Sequence, residues 1–126
     1  MATVQLTMEN FAETVATNDI VLVDFWAEWC APCRMFGPTF EKSSEKYPNI
    51  VHGKVNTEQE QELAASFGIM SIPTLMAFRE QVLLYAQPGA LPGEALESLI
   101  SKILELDMDD VRRQIAEDEH AGSHRH

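Results

Sequence analysis

From Ile20 to Trp26 the chain reads IVLVDFW, an apolar run broken once, by Asp24. A run of this kind, without polar alternation, suits a strand covered on both faces. A sheet covered on both faces needs helices on each side. The chain has 126 residues, 45% of them hydrophobic, which is enough for one domain with a real core. This strand is therefore expected to be central, and the remaining segments to pair with it or pack over it.

The pattern on either side supports that reading. Val4 to Leu6 reads as a short edge strand. Thr7 is the expected N-cap of a helix carrying Met8, Phe11, Ala12 and Val15, closed by the turn Thr17-Asn18-Asp19. After the central strand, Arg34 to Tyr47 reads as an amphipathic helix with Met35, Phe36 and Phe40 on its apolar side. Pro38 is expected to kink it. Ile50 to Val55 reads as a second strand. Asn56 or Thr57 is the expected cap of an acidic helix with Leu63, Ala64 and Phe67, and Gly68 the residue that ends it. Thr74 to Phe78 and Val82 to Ala86 read as a hairpin across Arg79-Glu80-Gln81, followed by a Pro/Gly loop from Pro88 to Gly93. Glu94 to Leu106 reads as a closing amphipathic helix. Strands alternating with helices imply parallel pairing through right-handed crossovers, and the closing hairpin adds antiparallel strands. The expected fold class is α/β, with a mixed central sheet flanked by helices on both faces.

Residues 1–106 form the expected domain and 107–126 an acidic extension. Met108, Val111 and Ile115 can continue a helix there, whereas the final AGSHRH is expected to fray. The chain carries a formal net charge of -11, against the positive face that nucleic acid or an anionic membrane requires. No apolar run reaches a membrane span, and the N-terminal residues MATVQLTMENF lack a basic segment before an apolar one. Two cysteines cannot staple a small secreted fold, so a reducing, cytoplasmic setting is expected.

Those two cysteines stand in WCAPC, residues Trp29 to Cys33, where the central strand gives way to a helix. The first turn of a helix presents unpartnered N–H groups and partial positive charge. A thiolate there is stabilised, so Cys30 is expected to ionise below the free-thiol range. Cys33, one turn further in, is expected to be more buried and less acidic. The asymmetry assigns roles: Cys30 attacks a substrate disulfide, and Cys33 resolves the mixed disulfide. Pro32 fits a first helical turn, where its missing N–H costs nothing. Trp29 is expected to shield the sulfurs and to offer apolar surface to a partner. A C-x-x-C pair also forms half of a zinc site, with His120 and His124 at H-x3-H spacing as the other half. Zinc fingers place about a dozen residues between the halves, whereas here most of the domain intervenes, so no metal is expected. His52 is given no role.

A carboxylate inside an apolar strand is costly unless paired or protonated. Asp24 is either a strand-end residue reaching water or a buried acid that exchanges a proton with Cys33, and its flanking Val23 and Phe25 favour the second. Lys54, on the neighbouring strand, is the candidate charge partner. Ile72-Pro73-Thr74 opens a strand with a proline, which is either an edge residue or a cis peptide.

DFWAEWCAPC, from Asp24 to Cys33, with SIPT following at Ser71 to Thr74, resembles the thioredoxin family over about Val4 to Leu104. C-x-x-C beside a strand–helix–strand pattern is an established signature of that family. The resemblance implies a general protein disulfide reductase with the thioredoxin fold. Cys30 is then the nucleophile, Cys33 the resolving thiol, Asp24 the buried acid and Lys54 its neighbour. It implies a cis Pro73 against the sulfurs, with Ile72 offering backbone hydrogen bonds to an extended client strand. Trp29, Ala31, Pro32, Ile72, Gly89 and Ala90 would then form the contact surface. No cofactor is bound in such a protein; the Cys30–Cys33 disulfide is reduced by an NADPH-dependent thioredoxin reductase. No Gly-rich dinucleotide loop is present here. The expected partners are that reductase and disulfide-containing clients, met by a monomer. Three departures stand out. Ala31 replaces the usual glycine, which is expected to shift redox poise or partner choice modestly. Arg79-Glu80-Gln81 replaces the usual Asn-Gly or Asp-Gly turn, and the tail after Leu106 has no counterpart in the short form of the family. A dedicated oxidant or isomerase, or an interaction module with incidental redox chemistry, is the competing reading.

Overall fold

The computed structural model describes residues 2–123, with residues 120–123 described by backbone alone. Five strands and five helices follow in chain order: β1 (Thr3–Gln5), α1 (Phe11–Thr17), β2 (Ile20–Trp26), α2 (Ala31–Lys46), β3 (Val51–Asn56), α3 (Gln61–Ser66), β4 (Thr74–Arg79), β5 (Val82–Pro88), α4 (Gly93–Glu105) and α5 (Met108–Ser123). The sheet order is β1-β3-β2-β4-β5, which puts β2 in the middle. β1 and β2 run parallel to β3, whereas β4 runs antiparallel to β2 and β5 antiparallel to β4. The sheet is mixed, as the sequence pattern implies.

Successive side chains of a strand point to opposite faces, and β2 feeds two cores in this way. Ile20 and Leu22 pack with Phe36 and Phe40 of α2 and with Leu96, Ile100 and Ile103 of α4. Val21, Val23 and Phe25 pack on the other side with Leu6, Phe11, Leu63 and Phe78. There the Phe67 ring lies 5.1 Å from Phe11 and 6.0 Å from Phe25, tilted or edge-on to each. By the same alternation, Asp24 belongs to the α2/α4 face.

Gly53 marks the tightest point of this packing. A Cβ built on it would clash with the Leu6 Cδ1 atom and lie 2.6 Å from its Cγ. Leu6 is buried against the sheet, so Gly53→Ala forces it to move. The expected loss is about 1–3 kcal/mol, read as a lower urea midpoint with unchanged slope. An unchanged midpoint would mean that Leu6 repacks at no cost.

Several boundaries differ from the sequence reading. Helix α1 starts at Phe11 and not after Thr7, because Thr7 to Asn10 close a turn in which the Asn10 Oδ1 accepts the Thr7 N–H at 2.8 Å. Met8 therefore lies outside the helix. Helix α2 starts three residues early, at Ala31, and passes through Pro38. Helix α3 starts at Gln61, because the Asn56 Oδ1 accepts the N–H groups of Glu58 and Gln59 and so forms a turn before it. Gly68 ends that helix with φ +65°, its N–H on the Ala65 carbonyl and the Ile69 N–H on that of Ala64. The β4–β5 turn consists of Glu80 and Gln81 alone, both at positive φ, with Arg79 paired inside β4. β5 reaches Pro88, which an edge strand tolerates.

His52 is a core residue. Its Nδ1–H donates to the Ile50 carbonyl (3.0 Å), which leaves Nε2 to accept the Ser43 hydroxyl (2.9 Å). Burial holds its pKa below the usual histidine value, and the Ile50 bond offsets part of this.

The extension is more ordered than its composition suggests. The Asp107 carboxylate accepts the N–H groups of Asp109 and Asp110 and caps α5. Met108 is buried, and Arg112 donates to Glu80 on the β4–β5 turn at 2.5 Å. Arg79 Nη1 donates to the carbonyls of Ile103 and Leu106, so a guanidinium closes the C-terminal end of α4. Helix α5 runs to Ser123, three residues into the segment expected to fray. His124 and His126, and the side chain of His120, lie outside the described residues.

Candidate active site

Strand β2 delivers Trp26 to the edge of the core. Ala27 to Trp29 turn the chain, and Cys30 becomes the N-cap of α2, with Pro32 in the first helical turn. Cys30 and Cys33 are disulfide-bonded, with Cα atoms 5.2 Å apart. The Cys30 Sγ accepts the Cys33 backbone N–H at 3.2 Å. A sulfur at an N-cap thus takes the place of the usual oxygen and satisfies one of the helix's free donors. The Cys30 carbonyl accepts the Arg34 N–H, and the Arg34 guanidinium holds the Glu28 carbonyl at 2.7 Å.

Exposure does not separate the two sulfurs as expected. Each cysteine is 4% exposed, because Ala27 packs with them and Trp26 and Ile72 lie against them. The asymmetry resides in hydrogen bonding: Cys30 alone receives the helix-end N–H. The tryptophan against the sulfurs is Trp26, which sequence reasoning missed. Its alternation with Asp24 along β2 was the available signal. Trp29 is 67% exposed and projects as apolar surface.

Asp24 is 1% exposed, and neither carboxylate oxygen has a hydrogen-bond partner among the described residues. Burial raises its pKa to about 7, and the charge of Lys54 pulls the other way. Lys54 pairs in register with Asp24 across the β2–β3 ladder, but it makes no ion pair with it among the described residues. Its ammonium sits 4.9 Å from the Trp26 ring centroid, in cation–π contact. A lysine attracted to the carboxylate only through space leaves the acid uncompensated enough to titrate near neutrality.

The third segment approaches the disulfide from just before β4, whose first residue, Thr74, pairs with Phe25. The Ile72–Pro73 bond is cis. The Ile72 carbonyl oxygen lies 3.7 Å from the Cys30 Sγ, and among the described residues its N–H donates to no other group. The Pro73 carbonyl accepts the N–H of Gly89, which is at φ +110° and exposed, as is Ala90. Ala31 and Pro32 are also exposed on the α2 side. Trp29 and Ile72 line a groove of about 340 Å³ that continues past Ala64 and Ala65 of α3 and is also lined by Met70. Two separate stretches, Trp26–Ala27 at the end of β2 and Ile72 before β4, thus pack against the sulfur pair. Among the described residues no three metal-ligating side chains cluster, and no helix is long and apolar enough to cross a membrane.

The model of the family described as Thioredoxin matches residues 2–102. The chain is 59% identical over 116 residues to a Streptomyces coelicolor protein named "Putative thioredoxin 2", covering 92% of this chain and 87% of that one. It is 42% identical to the thioredoxin of Porphyra purpurea, over 82% of this chain and 99% of that one. Among solved structures, a Plasmodium falciparum thioredoxin superposes with a TM-score of 0.73 at 32% identity, covering 79% of this chain and 98% of the other. A mutant thioredoxin from Halobacterium salinarum gives 0.76 at 30% identity, covering 83% and 93%. By sequence, by fold and by the placement of its one cysteine pair, the chain belongs to the thioredoxin family of thiol–disulfide oxidoreductases.

Proposed function

We propose that this protein disulfide reductase draws electrons from an NADPH-dependent thioredoxin reductase and passes them to disulfide-containing clients in the cytoplasm, acting as a monomer. The observation that carries the reading is the Cys33 N–H aimed at the Cys30 Sγ from the start of α2. In the reduced protein the same donor stabilises a thiolate on Cys30. That thiolate attacks one sulfur of a client disulfide, and the other client sulfur leaves as a thiolate that takes up a proton. Asp24 accepts the proton of Cys33, and Lys54 tunes its readiness to do so. The Cys33 thiolate then attacks the Cys30 Sγ, which closes the internal disulfide and releases the second client thiol. Two electrons have moved to the client, and the reductase restores them. Trp29, Ala31, Pro32, Ile72, Pro73, Gly89 and Ala90 form the docking surface, where the free Ile72 N–H meets an extended client backbone.

The test is a coupled assay with NADPH, a thioredoxin reductase and insulin. NADPH oxidation is expected to rise in proportion to the added protein and to depend on all three components. Absence of turnover with every reductase tried, together with tight client binding that survives loss of both cysteines, would instead mark an interaction module.

A further inference from the structure

The chain has six methionines, and they are distributed unevenly. Met76 and Met108 are buried, whereas Met70 is 93% exposed, Met35 75% and Met8 51%. Met1 lies outside the described residues. Met70 stands two residues before Ile72, whose carbonyl lies near the Cys30 Sγ, and Met35 lies on α2 two residues after Cys33. Met70 also lines two depressions. One is the 340 Å³ groove that Trp29 and Ile72 share. The other, about 270 Å³, is bounded by Phe67, Met76, Ala86 and Pro88. Met70 is therefore a ridge between two partly apolar hollows. One hollow is continuous with the residue whose carbonyl faces the Cys30 Sγ.

We propose that Met70 is an oxidation-sensitive docking residue: a peroxide converts its thioether to the sulfoxide, which weakens seating of a client's extended apolar segment while leaving the Cys30–Cys33 exchange intact. The inference rests on the reading that clients meet Cys30 through this groove. A client chain whose disulfide reaches Cys30 must pass Trp29 or Ile72, and the groove between them leads to Met70. An unbranched, polarizable side chain adapts to varied apolar partners. In the step itself, a sulfur lone pair attacks a peroxide oxygen and the O–O bond breaks. The sulfur gains that oxygen and loses two electrons, and the peroxide is reduced to water or an alcohol. The product is polar where the client contact was apolar.

The test starts from the disulfide form, in which no thiol competes, treated with limiting hydrogen peroxide and mapped by peptide mass spectrometry. Oxidation is expected first at Met70, then Met35, then Met8, with Met76 and Met108 last. The oxidised protein is expected to show a roughly fivefold higher KM for insulin, with kcat nearly unchanged. Its rate with a small aromatic disulfide, which does not span the groove, should stay the same. Met70→Leu, whatever its starting KM, should no longer respond to peroxide, whereas Met8→Leu should respond as the parent does. Met70→Gln should raise the insulin KM without any oxidant. Equal oxidation of Met70 and Met8, or a KM shift that persists in Met70→Leu, overturns the switch. A Met70→Gln protein with the parent KM overturns the docking reading beneath it.

Discussion

Asp24→Asn is expected to stabilise the oxidised protein at pH 8.5 and to do so far less in acid. The carboxyl's folded pKa of about 7 lies above its ordinary 3.8, raised by burial against a smaller opposing pull from Lys54. A raised folded value means that the native state holds the extra proton. The contribution to stability is then fully present below pH 3.8 and falls as pH rises through 7. Taken over the whole window, a shift of this size corresponds to about 4 kcal/mol, of which about 2 falls between pH 5.5 and 8.5. Asparagine cannot ionise, so the variant's stability should be flatter across that range, and the two proteins should diverge as pH rises. Urea unfolding of both at pH 5.5 and 8.5 measures this directly; parallel pH dependences would show that Asp24 ionises as freely as an exposed carboxylate. The same substitution removes the base for Cys33, so resolution of the mixed disulfide should slow by roughly tenfold to a hundredfold near neutrality. Gain in stability with loss of turnover is the pattern of a strained active-site group.

Cys30→Ser is expected to lower insulin reduction by on the order of a thousandfold or more, since no other sulfur can start the exchange. Cys33→Ser should fail differently. Its Cys30 can still attack, but nothing inside the protein can release the product. It should therefore accumulate a covalent client adduct, up to one per chain, visible on a non-reducing gel and dispersed by dithiothreitol. Both cysteines are equally buried in the disulfide, so the difference between the variants reports the hydrogen bond to the Cys30 Sγ. Adducts on Cys30→Ser, or steady turnover by Cys33→Ser, would reverse the assignment.

The elements with strong local signals sit where the pattern put them. β2 spans Ile20–Trp26 as read, α4 is displaced by one residue, and Gly68 ends α3 in the left-handed conformation. The starts of α1 and α3 differ from the pattern where an N-cap has to be chosen among adjacent polar residues, and α2 begins at Ala31 because the Cys30 sulfur itself serves as its cap. Thr7 and Asn56 looked like caps, yet each engages in a turn that delays the helix. The fold class and the chemistry of the two cysteines were legible because a buried strand, a helix start and a C-x-x-C pair are local features, decided by residues a few positions apart.

The surroundings of the sulfurs were not legible in the same way. Ile72 is 42 residues from Cys30, and sheet order with the register of β2 against β4 brings it there. The choice of Trp26 over Trp29 as the packed ring follows from which side of β2 the helix α2 covers. Lys54 lies over that ring and not on the carboxylate, because one ladder position places both side chains on one face without specifying which neighbour the ammonium takes. Short-range periodicity and capping operate within a single segment, so the chain declares them. Contacts across the sheet depend on where separate segments stop relative to one another, and packing settles that only once the core has closed.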